Sequence, residues 1–345
     1  MACRLPAKSA GVTRARLCAQ LSGCGFVEAA RTVAVVIPSW NSAGLLPRCL
    51  DSLGGQGVEV ELLVVDNGSG DGSVELLEER GVPHVGLPRN VGFAAAINLG
   101  VGRTEAETVL ALNADTALEP GCLARLLDTL EADHRLGGVQ PRLLQLESGA
   151  GPSPGVAAAH LYSTGQALTA DGRAIERGAG EAQPPRLPDM HEIFGVCGAA
   201  CLLRRQLFTE LGGYDESYFA FYEDVDLNVR ARIAGWRFAY VPEAVVWHVG
   251  NASWQAGFSR PGAENARLVA RNRLATQIKF MPASAIPRIA TVEVGALARA
   301  ASERRLRATV AGKLAALRWL PRLLRERRRL RREGDPARAR RWLGA

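Results

Sequence analysis

Two short apolar runs, each ended by a polar turn, constrain this chain more than any other feature. Val33-Ala34-Val35-Val36-Ile37 is continuous, largely β-branched, and stops at Pro38. Glu61-Leu62-Leu63-Val64-Val65 repeats the pattern and stops at the turn-rich stretch Asp66–Ser73. A strand with one wet face alternates, so an unbroken run marks burial on both faces, the condition inside a parallel sheet. Leu45–Leu53 between them has helical spacing; a helix (about 73–80), a short strand (84–87), a helix (92–101) and a strand (108–112) follow. Alternation of this kind with short connections predicts an α/β fold, a doubly wound, mostly parallel sheet. Ligands in such sheets sit beyond the carboxyl ends of the strands. That rule selects the loops Pro38–Asn41, Asp66–Ser69 and Asn113–Asp115.

The rest of the chain divides around this core. Residues 1–30 carry four cations, one acid and no long apolar stretch, and read as a disordered extension, not a secretory leader. Residues 31–280 read as one catalytic domain, within which 146–190, rich in Gly, Pro, Ala and Ser and lacking a clear period, read as an insertion or mobile loop. The longest apolar run, Ile193–Leu203, has 11 residues and two glycines and reads as a buried strand region. No run approaches the roughly 18–20 residues of a membrane-spanning helix. Seven scattered cysteines lack the spacing of a zinc site or disulfide framework, which points to a reducing, cytoplasmic compartment.

Net charge adds a further division. The chain carries +7, but residues 303–345 hold 15 Lys and Arg against four acids, leaving a mildly acidic body and a basic helical region over 281–345. Within it Leu306, Val310, Leu314, Leu317, Leu320 and Leu324 draw one apolar stripe at helical spacing, with Pro321 expected to kink it. The stripe either lies on the cytoplasmic face of an anionic membrane or docks on the catalytic domain. Nucleic acid is the poorer partner, since Trp319 and Trp342 alone offer a stacking platform.

Four groups of residues could carry chemistry. Asp66 ends a buried strand where a ligand would lie, although a turn former suits the same place. Asn113-Ala114-Asp115 sets an amide and a carboxylate on one side of an extended stretch, which suits a hard divalent cation or, equally, a helix cap. Glu223, Asp224 and Asp226 crowd the first turn of a helix after an aromatic, glycine-led segment. The helix terminus favours their ionised forms while mutual repulsion opposes them, so capping competes with a general base or metal site. His248 ends the buried run Val245-Val246-Trp247 as either a structural imidazole or a ligand; Arg271 and Arg273 could meet phosphate or solvent.

Taken together these residues resemble the family 2 nucleotide-sugar glycosyltransferases with the GT-A fold, in particular the bacterial rhamnosyltransferase-like members. The resemblance rests on five segments in order: VAVVIPSWNSAGLLPRCLDSL from Val33, VVDNGSGDGS from Val64, RNVGFAAAINLG from Arg89, LNAD from Leu112, and the block from Cys197 to Gly250 containing FYEDVDLNVRARIAGW. It implies a dTDP- or UDP-sugar donor, a saccharide or lipid-linked acceptor, Mg²⁺ or Mn²⁺, and an inverting single displacement in cell-surface polysaccharide synthesis. It implies that Pro38, Trp40, Asn41 and Asp66 meet the nucleotide, with Asp66 on the base, and that Asn90 and Arg271 lie near the donor. Asp115 would bind the metal with His248 as a further ligand; Asn113 replaces the first acid of the usual Asp-x-Asp. Asp224 would be the general base, with Glu223 and Asp226 orienting it or the acceptor. The alternatives are a non-catalytic nucleotide-sugar-binding member and a nucleotidyltransferase. The last would want a basic loop after the first strand, and Pro38–Gly44 has no Lys or Arg.

Overall fold

A computed structural model describes residues 31–146, 160–183, 188–250 and 261–344. The expectation for residues 1–30 lies outside them. The chain begins β1 (Thr32–Ser39), α1 (Leu46–Asp51), β2 (Glu59–Asp66), α2 (Ser73–Glu79), β3 (His84–Gly86), α3 (Phe93–Val101) and β4 (Thr108–Leu112). β5 (Thr116–Leu118), α4 (Cys122–Ala132) and β6 (Leu136–Gln145) follow, then three short strands, β7 (Leu161–Ser163), β8 (Gln166–Leu168) and β9 (Ala174–Glu176). The second half runs β10 (His191–Ile193), β11 (Ala200–Arg204), α5 (Arg205–Glu210), α6 (Glu223–Ala234) and β12 (Arg237–His248). Five helices close it: α7 (Pro261–Phe280), α8 (Ile286–Ser302), α9 (Leu306–Arg318), α10 (Leu320–Glu333) and α11 (Pro336–Arg340).

The main sheet has the order β10-β12-β6-β11-β4-β1-β2-β3, with β5 added beside β12 and β7 beside β6. β3, β2, β1 and β4 are mutually parallel; β11 is antiparallel to both β4 and β6, which restores the first direction at β6 and β12. The carboxyl ends of β1, β2, β4 and β12 therefore share one edge. Alternation along β1 explains the two layers. Val33, Val35 and Ile37 enter the core under α1, α2 and α4, while Ala34 and Val36 enter the core under α3, α5 and α6. All five are fully buried, and each large one contributes roughly 1.5–3 kcal/mol of transfer free energy.

Two expectations need correction. Ile193–Leu203 is buried but is not one strand: β10 and β11 flank a bend whose backbone is satisfied by side chains. Val196 N–H donates to Asn228 Oδ1 (3.3 Å), Cys197 N–H to Gln140 Oε1 (2.7 Å) and Gly198 N–H to Asp224 Oδ2 (2.9 Å), and these bonds replace the ladder. The stretch 146–190 is folded where it is described. β7 joins the main sheet and β8 pairs with β9 as a hairpin, each strand being three residues long and too short to show a period.

The tail differs from expectation in its kink and in the docking of its stripe. A new helix, α10, starts beside Pro321, which sits in its first turn, where a missing N–H is harmless. The small face of α9, Thr309, Gly312 and Ala316, is buried. A Cβ at Gly312 would lie 2.2 Å from the Arg267 carbonyl of α7, so glycine there permits the close approach of the two helices. All six stripe residues, Leu306 to Leu324, are consequently exposed, Leu314 at 54%. The stripe does not dock on the catalytic domain.

Candidate active site

The strand ends surround a cavity of about 280 Å³ at the predicted sheet edge. Pro38, Trp40, Asn90, Asn113, Asp115 and His248 line it from the strand-end loops, and Glu223 and Asp224 line it from the first turn of α6. Four predicted residues are not in its wall. Asp66 is buried and committed to its own turn, its Oδ1 accepting from Gly68 N–H (3.0 Å) and Ser69 N–H (2.9 Å) and its Oδ2 from the Ser69 hydroxyl. Asn41, at φ 48°, accepts from Gly70 N–H (2.9 Å) and stitches the first loop to the second. Both are loop builders, and Asn67, next to Asp66, reaches the cavity instead.

Asp226 is the third correction. Two residues along a helix rotate about 200°, so Asp226 and Asp224 leave opposite sides of α6. Asp226 is fully buried between Arg230 Nε (2.6 Å) and Lys279 Nζ (2.7 Å), away from the cavity. Arg271 is the fourth. Its guanidinium donates to the Tyr218 carbonyl (2.8 Å) and to Asn272 Oδ1 (2.8 Å) and stacks over Trp319, while Arg273 pairs with Glu293 (2.8 Å). Arg271 and its neighbour Asn272 serve the aromatic loop before α6. Phe219, Phe221 and Tyr222 all have φ between 66° and 69°, of order 1–3 kcal/mol of strain each. Buried Asn272 holds that loop by donating to three of its carbonyls, Tyr218 (2.9 Å), Ala220 (2.8 Å) and Phe221 (2.7 Å). Gly92, at φ 93°, lies beneath; a Cβ there would be 2.5 Å from the Phe219 carbonyl.

Asp115 and His248 meet because β5 pairs with β12 with Thr116 opposite His248. His248 Nε2 is 3.1 Å from Asp115 Oδ1 and 3.4 Å from Asn113 Nδ2; its ring packs edge-on against Tyr162, and its buried Nδ1 has no hydrogen-bond partner. Asp224 is fixed from three sides. Its Oδ2 accepts from Gln166 Nε2 (2.8 Å) and Gly198 N–H, and its Oδ1 accepts from Val225 N–H (2.7 Å). Gln166 cannot turn its amide over, because its Oε1 accepts from Asn228 Nδ2 (2.9 Å). The same Gln166 Nε2 donates to Glu176 Oε1 (3.0 Å).

Sequence reasoning missed Gln166 and Glu176, which come from the hairpin inside 146–190 and carry no detectable period. Besides Asp115, three carboxyls share the cavity under different conditions. Burial, then the Asp224 charge, pushes Glu176 up to about 7. Burial and Asp224 push Glu223 well above the carboxylate range, and its buried Oε2 has no partner. Burial also raises Asp224, opposed by its donors from Gly198, Val225 and Gln166. Asp224 is the best solvated by protein dipoles and so the most readily ionised of the three. Ligand atoms of Glu176, Cys197 and Asp224 lie within 4.8 Å of one another. Cys197 brings a soft sulfur donor to this trio, which matches a hard divalent cation less well than oxygen and nitrogen donors do.

Comparison with known proteins accords with this arrangement. The family model for glycosyl transferase family 2 matches residues 34–212. The N-acetylglucosaminyl-diphospho-decaprenol L-rhamnosyltransferase of Mycobacterium tuberculosis is 31% identical over 55% of this chain and 66% of its own. The pre-mycofactocin glycosyltransferase of the same organism is 33% identical over 63% of this chain and 43% of its own, so the chain spans less than two thirds of either relative. The structure of GalNAc-T7 with UDP, GalNAc and Mn²⁺ superposes with a TM-score of 0.54 at 18% identity, over 72% of this chain and 52% of that one, a likeness of fold. With its strand-end cavity, its GT-A architecture and a family match over more than half its length, the chain belongs to glycosyl transferase family 2.

Proposed function

We propose that the chain moves a hexose, rhamnose being the favoured sugar, from a dTDP- or UDP-sugar to a hydroxyl of a saccharide or lipid-linked acceptor, with inversion, in cell-surface polysaccharide synthesis. The observation that carries this reading is one cavity holding a rigidly oriented carboxylate, Asp224, together with the Asp115–His248 pair. Asp224 takes the acceptor proton as the new bond to the anomeric carbon forms. The bond to the diphosphate breaks in the same step, and the nucleoside diphosphate leaves with the electron pair. A base works only within roughly 2.6–3.2 Å of the proton's oxygen, which is the use of the Gln166 and Gly198 anchors. In this reading the acceptor oxygen attacks the anomeric carbon in a single displacement, which inverts it. A β-linked donor such as dTDP-L-rhamnose then gives an α-linked product.

Asp115 and His248, with the Asn113 amide beside them, suit Mg²⁺ or Mn²⁺: a carboxylate and a neutral imidazole form an oxygen–nitrogen donor set, and the orphaned Nδ1 leaves the tautomer free to adjust. When bound, the ion supplies Lewis-acid stabilisation of the leaving diphosphate. In a thermal-shift titration, Mn²⁺ is expected to enlarge the stabilisation by UDP or dTDP at least severalfold in the wild type and not at all in Asp115→Ala. Equal enlargement in both removes the metal assignment.

No helix among the described residues is long and apolar enough to cross a membrane. The exposed leucine stripe, flanked by Arg307, Arg318 and Arg325, supports peripheral contact with an anionic, cytoplasmic membrane face. Flotation with anionic liposomes is expected to carry the wild type and to lose Leu314→Asp/Leu317→Asp; equal flotation of both overturns this contact.

A further inference from the structure

A second cavity, of about 480 Å³, adjoins the first and is walled by α7, α8 and the start of α9. Val269 lines both cavities, and Arg173 of the second precedes Ala174 of the first, so the two share a partition. The chemistry of the second is two-sided. Val269, Val292, Gly295 and Ala296 make an apolar wall; Arg173, Arg273, Arg299 and Arg305 supply cations, against Glu303 alone among acids in the lining.

The ion pairs offset these cations only in part: with Lys313 beside them, five positive groups face the three carboxylates of Asp171, Glu293 and Glu303. Arg173 pairs with Asp171 (2.7 Å) and Arg305 with Glu303 (3.4 Å), while Arg273 and Lys313 share the single carboxylate of Glu293. Arg299 has no ion-pair partner among the described residues. Exposed Val294, Leu306 and Val310 are the sequence neighbours of the lining residues Gly295, Arg305 and Thr309. An excess of guanidinium groups over carboxylates, with Arg299 unpaired among the described residues, suits phosphate oxygens, and an apolar wall beside exposed apolar side chains suits a hydrocarbon chain.

We propose that this cavity binds the diphosphate and first apolar units of a lipid-linked acceptor, holding its sugar end toward Asp224 across the Val269 partition. The acceptor role rests on the glycosyltransferase reading; the binding of an apolar diphosphate does not. The occupant to which the geometry commits is a polyisoprenyl diphosphate, since a free diphosphate leaves the apolar wall unused and an uncharged lipid leaves the arginines unused.

The test uses the full chain and farnesyl diphosphate as probe, titrated calorimetrically beside inorganic pyrophosphate and farnesol. Farnesyl diphosphate is expected to bind at least tenfold more tightly than either. Gly295→Leu fills the cavity from a helical position where an added Cβ meets nothing within 4 Å, and Arg299→Glu reverses an exposed charge. Each is expected to weaken farnesyl diphosphate at least tenfold while UDP or dTDP binding and the melting temperature hold. The proposal is overturned if farnesyl diphosphate binds no better than pyrophosphate, or if both variants bind it like the wild type. Loss of nucleotide binding with farnesyl diphosphate binding intact would sink the donor reading and leave this site standing; the reverse pattern would sink this site alone.

Discussion

Asp224→Asn is expected to lower sugar transfer by about 10²–10⁴-fold, the range a positioned general base supplies, while affinity for the nucleotide changes little. The substitution removes a cavity carboxylate that Gln166, Gly198 and Val225 orient by hydrogen bonds. It also brings a local penalty. An asparagine NH₂ must face either Val225 N–H or the donors from Gln166 and Gly198, so one donor meets another, at roughly 1–3 kcal/mol. The loss of rate must therefore be measured per folded molecule, with a melting curve beside it. The wild-type pH profile gives a second reading. Asp224 acts ionised and burial raises it, so activity rises with pH, and the fall on its acid side is shifted up from the ordinary aspartate value. If Asp224→Asn transfers sugar within about threefold of the wild type, the base is elsewhere and Glu176 is the next carboxyl to replace.

Asp226→Asn is expected to do the opposite: to destabilise the fold by roughly 3–5 kcal/mol and to leave turnover per folded molecule within a few-fold. Its carboxylate lies between Arg230 and Lys279, whose side chains are 5% and 3% exposed, and neutralising it strands the Arg230 charge and takes one partner from Lys279. Lys279 keeps Glu326 (2.7 Å) and, at 3.6 Å, Asp215, which places the loss toward the lower end of that range. The same network gives an acid sensitivity. Burial alone would raise Asp215, but Lys279 and Arg322 outweigh it and hold the carboxyl down to about 2. A depressed carboxyl stabilises the fold above its unfolded pKa, near 3.8, and that contribution is lost as pH falls toward 2. Urea unfolding of Asp226→Asn near neutral pH measures the main effect. A variant as stable as the wild type yet inactive would return Asp226 to the chemistry.

How much of this was legible depended on where each residue's partners lie. β1, β2 and β4 were readable because strands buried on both faces are continuous apolar runs, and the sheet-edge rule then located the cavity. His248 and Asp115 followed from the ends of such runs. Asp66 is harder to read, because a strand-end carboxylate looks the same in sequence whether it serves a ligand or, as its Oδ1 does, the N–H groups two and three residues on. Asp226 was separable from Asp224 by helical rotation alone, and treating the acids as one cluster overlooked it. Arg271 and Asn272 could not be placed, since the carbonyls they hold lie some 50 residues away in a strained loop. Gln166 and Glu176 left no trace: three-residue strands carry no period, and their function here depends on tertiary contacts with α6.

The most direct measurement is a crystal structure of the chain with Mn²⁺ and an unreactive dTDP- or UDP-sugar analogue. The account predicts an anomalous manganese peak against Asp115 and His248, with the anomeric carbon turned toward Asp224. A nucleotide seated outside this cavity, or manganese bound at Glu176, Cys197 and Asp224 instead, would contradict it.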